Sequence, residues 1–186
     1  MKAFKKIDKL LKTINKSKNM TQKLLMEFTV NKENNSISVK REFAAACPLV
    51  WDAYTKPEIL DQWWAPEPWK TKTKSMDFRE GGHWHYAMVG PAGEEHWAWA
   101  DYEHIQIYHV FTGLDAFADI DGNINQNLPQ SKWEVKFINK DPHTFVELYI
   151  TYPDLEQLEA TIQMGFKDGL TMAMEGLDRY FTKQIK

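Results

Sequence analysis

Between about residues 70 and 152 the apolar residues of this chain recur at every second position, and from Leu155 to Tyr180 they recur at helical spacing. A period of two marks strands with one buried face, and a long 3.6-residue stripe marks a helix that must cover something. Strands are expected near 71–78, 82–89, 95–105, 108–114, 131–139 and 143–152, with turn signals at "EGG" (80–82), "GPAG" (90–93) and "KDPH" (140–143). Antiparallel sheets bury one face and solvate the other, and a single long helix is a natural cover for the buried one. This pattern predicts an α+β fold.

The segments before residue 70 add to the same design. "LLMEFTV" and "SISVKREF" alternate around "NKENN" and read as a hairpin. Its second strand puts Ile37, Val39, Arg41 and Phe43 on one parity, from which Arg41 would have to snorkel. "CPLVWDAYT" offers Pro48 in a first helical turn and Val50, Trp51 and Tyr54 at helical spacing. "TKPEILDQWW" follows with a capping box, Thr55 as N-cap and Glu58 at N3, and an inward face of Ile59, Leu60 and Trp63. Helices this short must pack on a sheet, where they would plug one end of the groove.

The chain has 186 residues, enough for one ordinary domain, and needs no disulfide or metal to hold it together. Its lone cysteine, Cys47, cannot form an internal disulfide, which fits a reducing cytoplasm. Cys47 is read as a buried, inert residue. No apolar run approaches the roughly 20 residues of a membrane span. Residues 1–19 carry seven lysines against one aspartate, with Phe4, Ile7, Leu10, Leu11 and Ile14 at helical spacing. They form a basic amphipathic extension, expected to be dispensable, ahead of a single domain over 20–186. That domain holds 16 basic against 25 acidic residues, which argues against nucleic acid as a partner.

The closing helix begins at Asp154, a cap for Gln157 at N3, and runs through Leu158, Ile162, Phe166, Leu170, Ala173 and Leu177. Gly165, Gly169 and Gly176 interrupt it, each costing about 1 kcal/mol relative to alanine. That face is thin, so either the sheet approaches closely or a space is left open. "GGHWHYAM" separates Trp84, Tyr86 and Met88 from His83 and His85, and the aromatic set is expected to face inward. In "EEHWAWADYEHI" parity alone leaves two choices: His96, Ala98, Ala100 and Tyr102 inward, or Trp97 and Trp99 inward.

"VWDAYTKPEILDQWWAPEPW", "MDFREGGHWHYAMVGPAGEEHW" and "MGFKDGLTMAMEGLDRYF" together resemble the START-like (SRPBCC, polyketide-cyclase) superfamily. More narrowly they resemble the activator of heat-shock-protein-90 ATPase homologue family, over about residues 35–183. The resemblance implies a helix-grip, Bet v-like fold, a curved sheet around the C-terminal helix with a hydrophobic cavity between. It makes Trp63 core, and Trp64 and Trp69 candidate gates at the cavity mouth.

The leading functional expectation is a small-molecule binding domain for an apolar or aromatic ligand. Its candidate residues are Trp63, Trp64, Trp69, Trp84, Tyr86, Met88, Ala100, Tyr102, Phe166, Gly169, Leu170 and Ala173, around a space of roughly 300 Å³ or more. The family name suggests a chaperone-activating role as the second class. Residues 1–34 are too few for the distinct N-terminal domain of the eukaryotic activator, so a chaperone partner is not expected. The third class is a cyclase or aromatase. Asp101, Tyr102 and His96 are its least implausible acid/base residues, but no nucleophile, phosphate loop or cofactor motif accompanies them. No catalytic residue, metal or cofactor is therefore assigned. His83, His85 and His96 lack a metal signature. "DIDGNINQNLPQ" (119–130) has an Asp-x-Asp-Gly start but no closing glutamate, and reads as a solvated loop. Homodimerisation is left open.

Overall fold

The computed structural model describes residues 24–184, so the amphipathic segment proposed at 1–19 lies outside the described residues. The elements are β1 (Met26–Asn31), β2 (Ser36–Phe43), α1 (Cys47–Thr55), α2 (Pro57–Trp63), β3 (Lys70–Met76), β4 (His83–Val89), β5 (Glu95–Gln106), β6 (Val110–Ala118), β7 (Gln130–Lys140), β8 (His143–Thr151), α3 (Leu155–Gln163) and α4 (Phe166–Gln184). The eight strands form one antiparallel sheet in the order β1-β2-β8-β7-β6-β5-β4-β3. Irregularities between Thr73 and Ser75, and between Tyr102 and His104, bend it. Its concave face takes the helices.

Alternation decides which side chains meet the helices. Ile37, Val39 and Phe43 of β2 pair with Ile150, Leu148 and Thr144 of β8, and all six are buried. Trp51 on α1 packs edge-on against Phe137 of β7 at 5.0 Å, and Tyr54 against Trp63 at 4.9 Å. Leu170, Ala173, Met174, Leu177 and Phe181 are the buried stripe of α4. Among the described residues no helix is long and apolar enough to cross a membrane.

Four local expectations are corrected. The closing helix is two helices, because Gly165 adopts φ +83°, the left-handed conformation that ends α3. The apolar spacing runs unbroken through that point, so the stripe disguised the break. Thr55 does not cap α2. It is the last residue of α1, its Oγ1 donates to the Trp51 carbonyl at 2.8 Å, and Pro57 opens α2 without a side-chain cap. Arg41 does not snorkel. It is buried and donates from Nη2 to Asp178 on α4. Strand β6 continues four residues past Leu114, to Ala118. Asp154 does cap α3, accepting from the Gln157 amide at 2.9 Å.

Candidate functional site

The hollow between the concave face and α2 is made by what the sheet lacks at its centre. Ala100 of β5 faces Trp84 of β4 on one side and Asp115 of β6 on the other, and Tyr102 faces Gly113. A Cβ at Gly113 would lie 1.9 Å from the Asp101 carbonyl oxygen, so the irregular β5–β6 pairing admits only glycine there. Ala100 and Gly113 therefore leave a gap that the surrounding rings bridge. The cavity is partly open, measures about 50 Å³ and is lined by Tyr54, Leu60, Trp64, Trp84, Ala100, Asp101, Tyr102, Phe111, Gly113, Leu114, Asp115, Trp133 and Val135. It is much smaller than the few hundred Å³ expected for a whole ligand. A depression of about 370 Å³ is lined mainly by the outward parity, Trp99, Asp101, Leu114, Ala116, Gln130 and Lys132, and so opens on the opposite face of the sheet, meeting the cavity's lining at Asp101, Leu114 and Asp115.

Trp64 roofs the cavity. It follows the last residue of α2 in helical geometry, which turns its ring onto the sheet, 5.5 Å from Trp84 and 6.1 Å from Trp133. Its Nε1 donates to the Tyr86 hydroxyl at 3.0 Å. Trp84 lies against Tyr86 at 3.8 Å and donates from Nε1 to Thr73 Oγ1 at 2.9 Å. The Tyr54 hydroxyl is buried with no hydrogen-bond partner. Burial holds the Tyr54 phenol above its ordinary pKa.

Asp115 is the polar feature of the site. Its Cα pairs with Ala100 and Ser131 on the inner parity, and among the described residues no hydrogen bond or ion pair reaches its carboxylate. Some of its surface remains accessible, but the surrounding protein desolvates the carboxyl and pushes its pKa up to about 7. Tyr86, Tyr102 and Tyr152 surround it closely enough to feel its charge. Each phenol is raised first by burial and then by Asp115, Tyr152 to about 12. A carboxyl near pKa 7 can give or take a proton at neutral pH. No serine, cysteine, lysine or histidine lines the cavity beside it.

Of the residues anticipated from sequence, Trp64, Trp84, Ala100 and Tyr102 come together around the cavity. Trp63 is buried in the core, its Nε1 donating to the Ala53 carbonyl at 2.9 Å. Tyr86 lies beneath Trp64, and Met88 is farther along β4, opposite His96. Trp69 leaves the cavity and packs on the His96 ring at 5.2 Å. Phe166 packs between Phe28 and Trp133. Leu170 and Ala173 are core, and a Cβ on Gly169 would meet only Pro66, at 3.9 Å.

Sequence reasoning missed Tyr54, Phe111, Gly113, Asp115, Trp133 and Val135. Phe111, Gly113 and Asp115 share one parity, but ending the strand at 114 left Asp115 outside it. On β5 the structure turns Ala98, Ala100 and Tyr102 inward. Trp99 goes outward and stacks on His83 at 4.1 Å. His85, expected on an open outer face, is buried between Trp97 and Trp99, and its Nε2 lies 3.0 Å from the Asp119 carbonyl oxygen. Among the described residues no three His, Cys, Asp or Glu side chains converge as metal ligands would.

A curved antiparallel sheet closed over a long C-terminal helix, with two short helices at one end, defines the helix-grip class. Within that class, the model of the Activator of Hsp90 ATPase homolog 1-like protein family matches residues 44–182, and the chain belongs to that family. The structure is similar to that of protein Ms6760 from Mycobacterium smegmatis, at 29% identity and a TM-score of 0.78, covering 84% of this chain and 96% of that one. A protein from Arthrobacter aurescens aligns at 27% identity and a TM-score of 0.80, covering 84% and 91%. One from Staphylococcus epidermidis aligns at 25% and 0.74, covering 85% and 96%. Comparison with curated proteins finds no match.

Proposed function

We propose that this protein binds a small, largely apolar or aromatic molecule between the concave face of the sheet and α2. The observation that carries this reading is the cavity under Trp64. Six aromatic side chains border it, and Ala100 and Gly113 leave its floor unfilled. Packed cores hold few voids larger than a water molecule. At about 50 Å³ this cavity has room for roughly three or four water-sized spheres, enough to seat one end of a ligand. The rest would project through the cavity's open side.

The test uses N-phenyl-1-naphthylamine, an uncharged probe that brightens in apolar surroundings. Saturable brightening with the full chain, lost on Ala100→Leu while the far-ultraviolet circular dichroism is retained, is expected. A wild-type protein that leaves the probe dark, or an Ala100→Leu variant that binds it unchanged, overturns the reading.

A further inference from the structure

We propose that the cavity receives the cationic head of an organic ammonium ligand, paired with Asp115. This rests on the binding reading above and narrows it to a charge class.

Charge supplies the first argument. The residues lining the inner cavity include two carboxylates, Asp101 and Asp115, and no lysine, arginine or histidine. Asp101 is exposed, and its Oδ1 accepts from Trp99 Nε1 at 2.8 Å. Asp115 is turned to the inside among the described residues without a partner. Tyr86, Tyr102 and Tyr152 are the titratable groups around it, and all are neutral phenols at physiological pH. Lys132, the cation at the edge of the depression, is engaged with Glu103 at 2.7 Å. An anionic ligand would meet Asp115 with no counter-charge. A hydrocarbon alone would strip its water and give nothing back. An ammonium supplies what is missing.

The rings supply the second argument. Trp64 stands against both Trp84 and Trp133 on Asp115's side of the sheet, with Tyr102 and Phe111 6.0 Å apart beside them. Aromatic faces carry negative potential and attract cations, tryptophan most strongly, and this attraction is what aromatic cages use to hold methylated ammonium groups. Size supplies the third. A space of about 50 Å³ suits a compact head and excludes a bulky one.

The experiment compares benzyltrimethylammonium with neopentylbenzene, its uncharged analogue with carbon in place of nitrogen. Each is titrated into the full chain at pH 8 and followed by tryptophan fluorescence. The cation should bind at least tenfold more tightly, and Asp115→Asn should reduce that preference to within about threefold. If the analogue binds as well as the cation, the charge class is wrong and the binding reading stands. If neither binds at millimolar concentration, both fall. Retention of the full preference in folded Asp115→Asn also sinks the proposal. The wild-type comparison needs no variant, so a destabilised Asp115→Asn would leave it decisive.

Discussion

Arg41 on β2 donates from Nη2 to Asp178 on α4, tying the edge of the concave face to the closing helix. The Arg41 side chain is 7% exposed, and its Nε has no hydrogen-bond partner. Burial lifts the Asp178 carboxyl above its ordinary pKa and outweighs the pull of Arg41 in the other direction. Desolvation therefore offsets much of what the pair gains, as is common for buried ion pairs. Asp178→Ala strands a buried guanidinium and should cost about 3 kcal/mol in urea unfolding. The double variant Arg41→Met, Asp178→Leu should recover most of that loss. A double variant no more stable than Asp178→Ala would mean that the pair is a net contributor.

The three glycines of the closing segment should respond with different signs. A Cβ at Gly169 would meet Pro66 at 3.9 Å, and one at Gly176 would lie 3.6 Å from the Trp63 carbonyl oxygen and Arg179, both ordinary contacts. Alanine at either site should stabilise by about 0.5–1 kcal/mol through helix propensity. Gly165→Ala has open space around it but must hold φ +83°, and should cost about 1 kcal/mol. Urea midpoints give all three signs. A stabilising Gly165→Ala would mean that α3 and α4 can join as one helix.

How far the chain could be read in advance depended on whether local pattern or long-range geometry set each feature. The strands were legible because Ile37 through Phe43, or Trp133 through Phe137, bury every second side chain against one set of helices. Arg41 was misjudged because its partner lies 137 residues away, on a helix whose rotation no local pattern reports. The β5 parity was undecidable because both faces are aromatic. Trp97 and Trp99 cover His85 outside just as Trp84 and Tyr86 pack under Trp64 inside. Asp115 was lost because a charge after Leu114 looks like the end of a strand. A cavity is what makes an inward carboxyl tolerable there.

The Asp119–Gln130 connection should ignore calcium. Asp119 Oδ1 accepts from the amides of Asp121 and Asn123 at 2.9 Å each, and Oδ2 accepts from Asn123 Nδ2 at 2.8 Å. These bonds hold the Asp119 carboxyl below its ordinary pKa, the side chain of Asn123 contributing most. The oxygens a cation would need are already engaged. Millimolar calcium should leave Tm unchanged, whereas Asp119→Ala should loosen the loop over His85 and speed amide exchange at residues 120–124. A calcium-dependent rise in Tm that Asp119→Ala abolishes would reverse this.

Asp115 should leave a signature in the pH dependence of stability. Its folded pKa is raised from 3.8 to about 7, so the folded chain holds this proton more tightly than the unfolded chain does. The sign follows from linkage: Asp115's contribution is fully present below about pH 4 and is lost as pH rises through 7. Asp178 is shifted in the same direction, while Asp119 and Glu42 are shifted the opposite way, so the whole-protein profile mixes them. The difference between wild type and Asp115→Asn cancels those shared terms, because asparagine stays uncharged throughout. The variant should gain on wild type from pH 5 to pH 8, by a few kcal/mol at most, since each unit of pKa shift corresponds to about 1.4 kcal/mol. Urea unfolding of both proteins at pH 5, 6, 7 and 8 measures it. A difference that stays flat across this range would mean that Asp115 is solvated like a surface carboxylate, and the site would lose its one unusual acid.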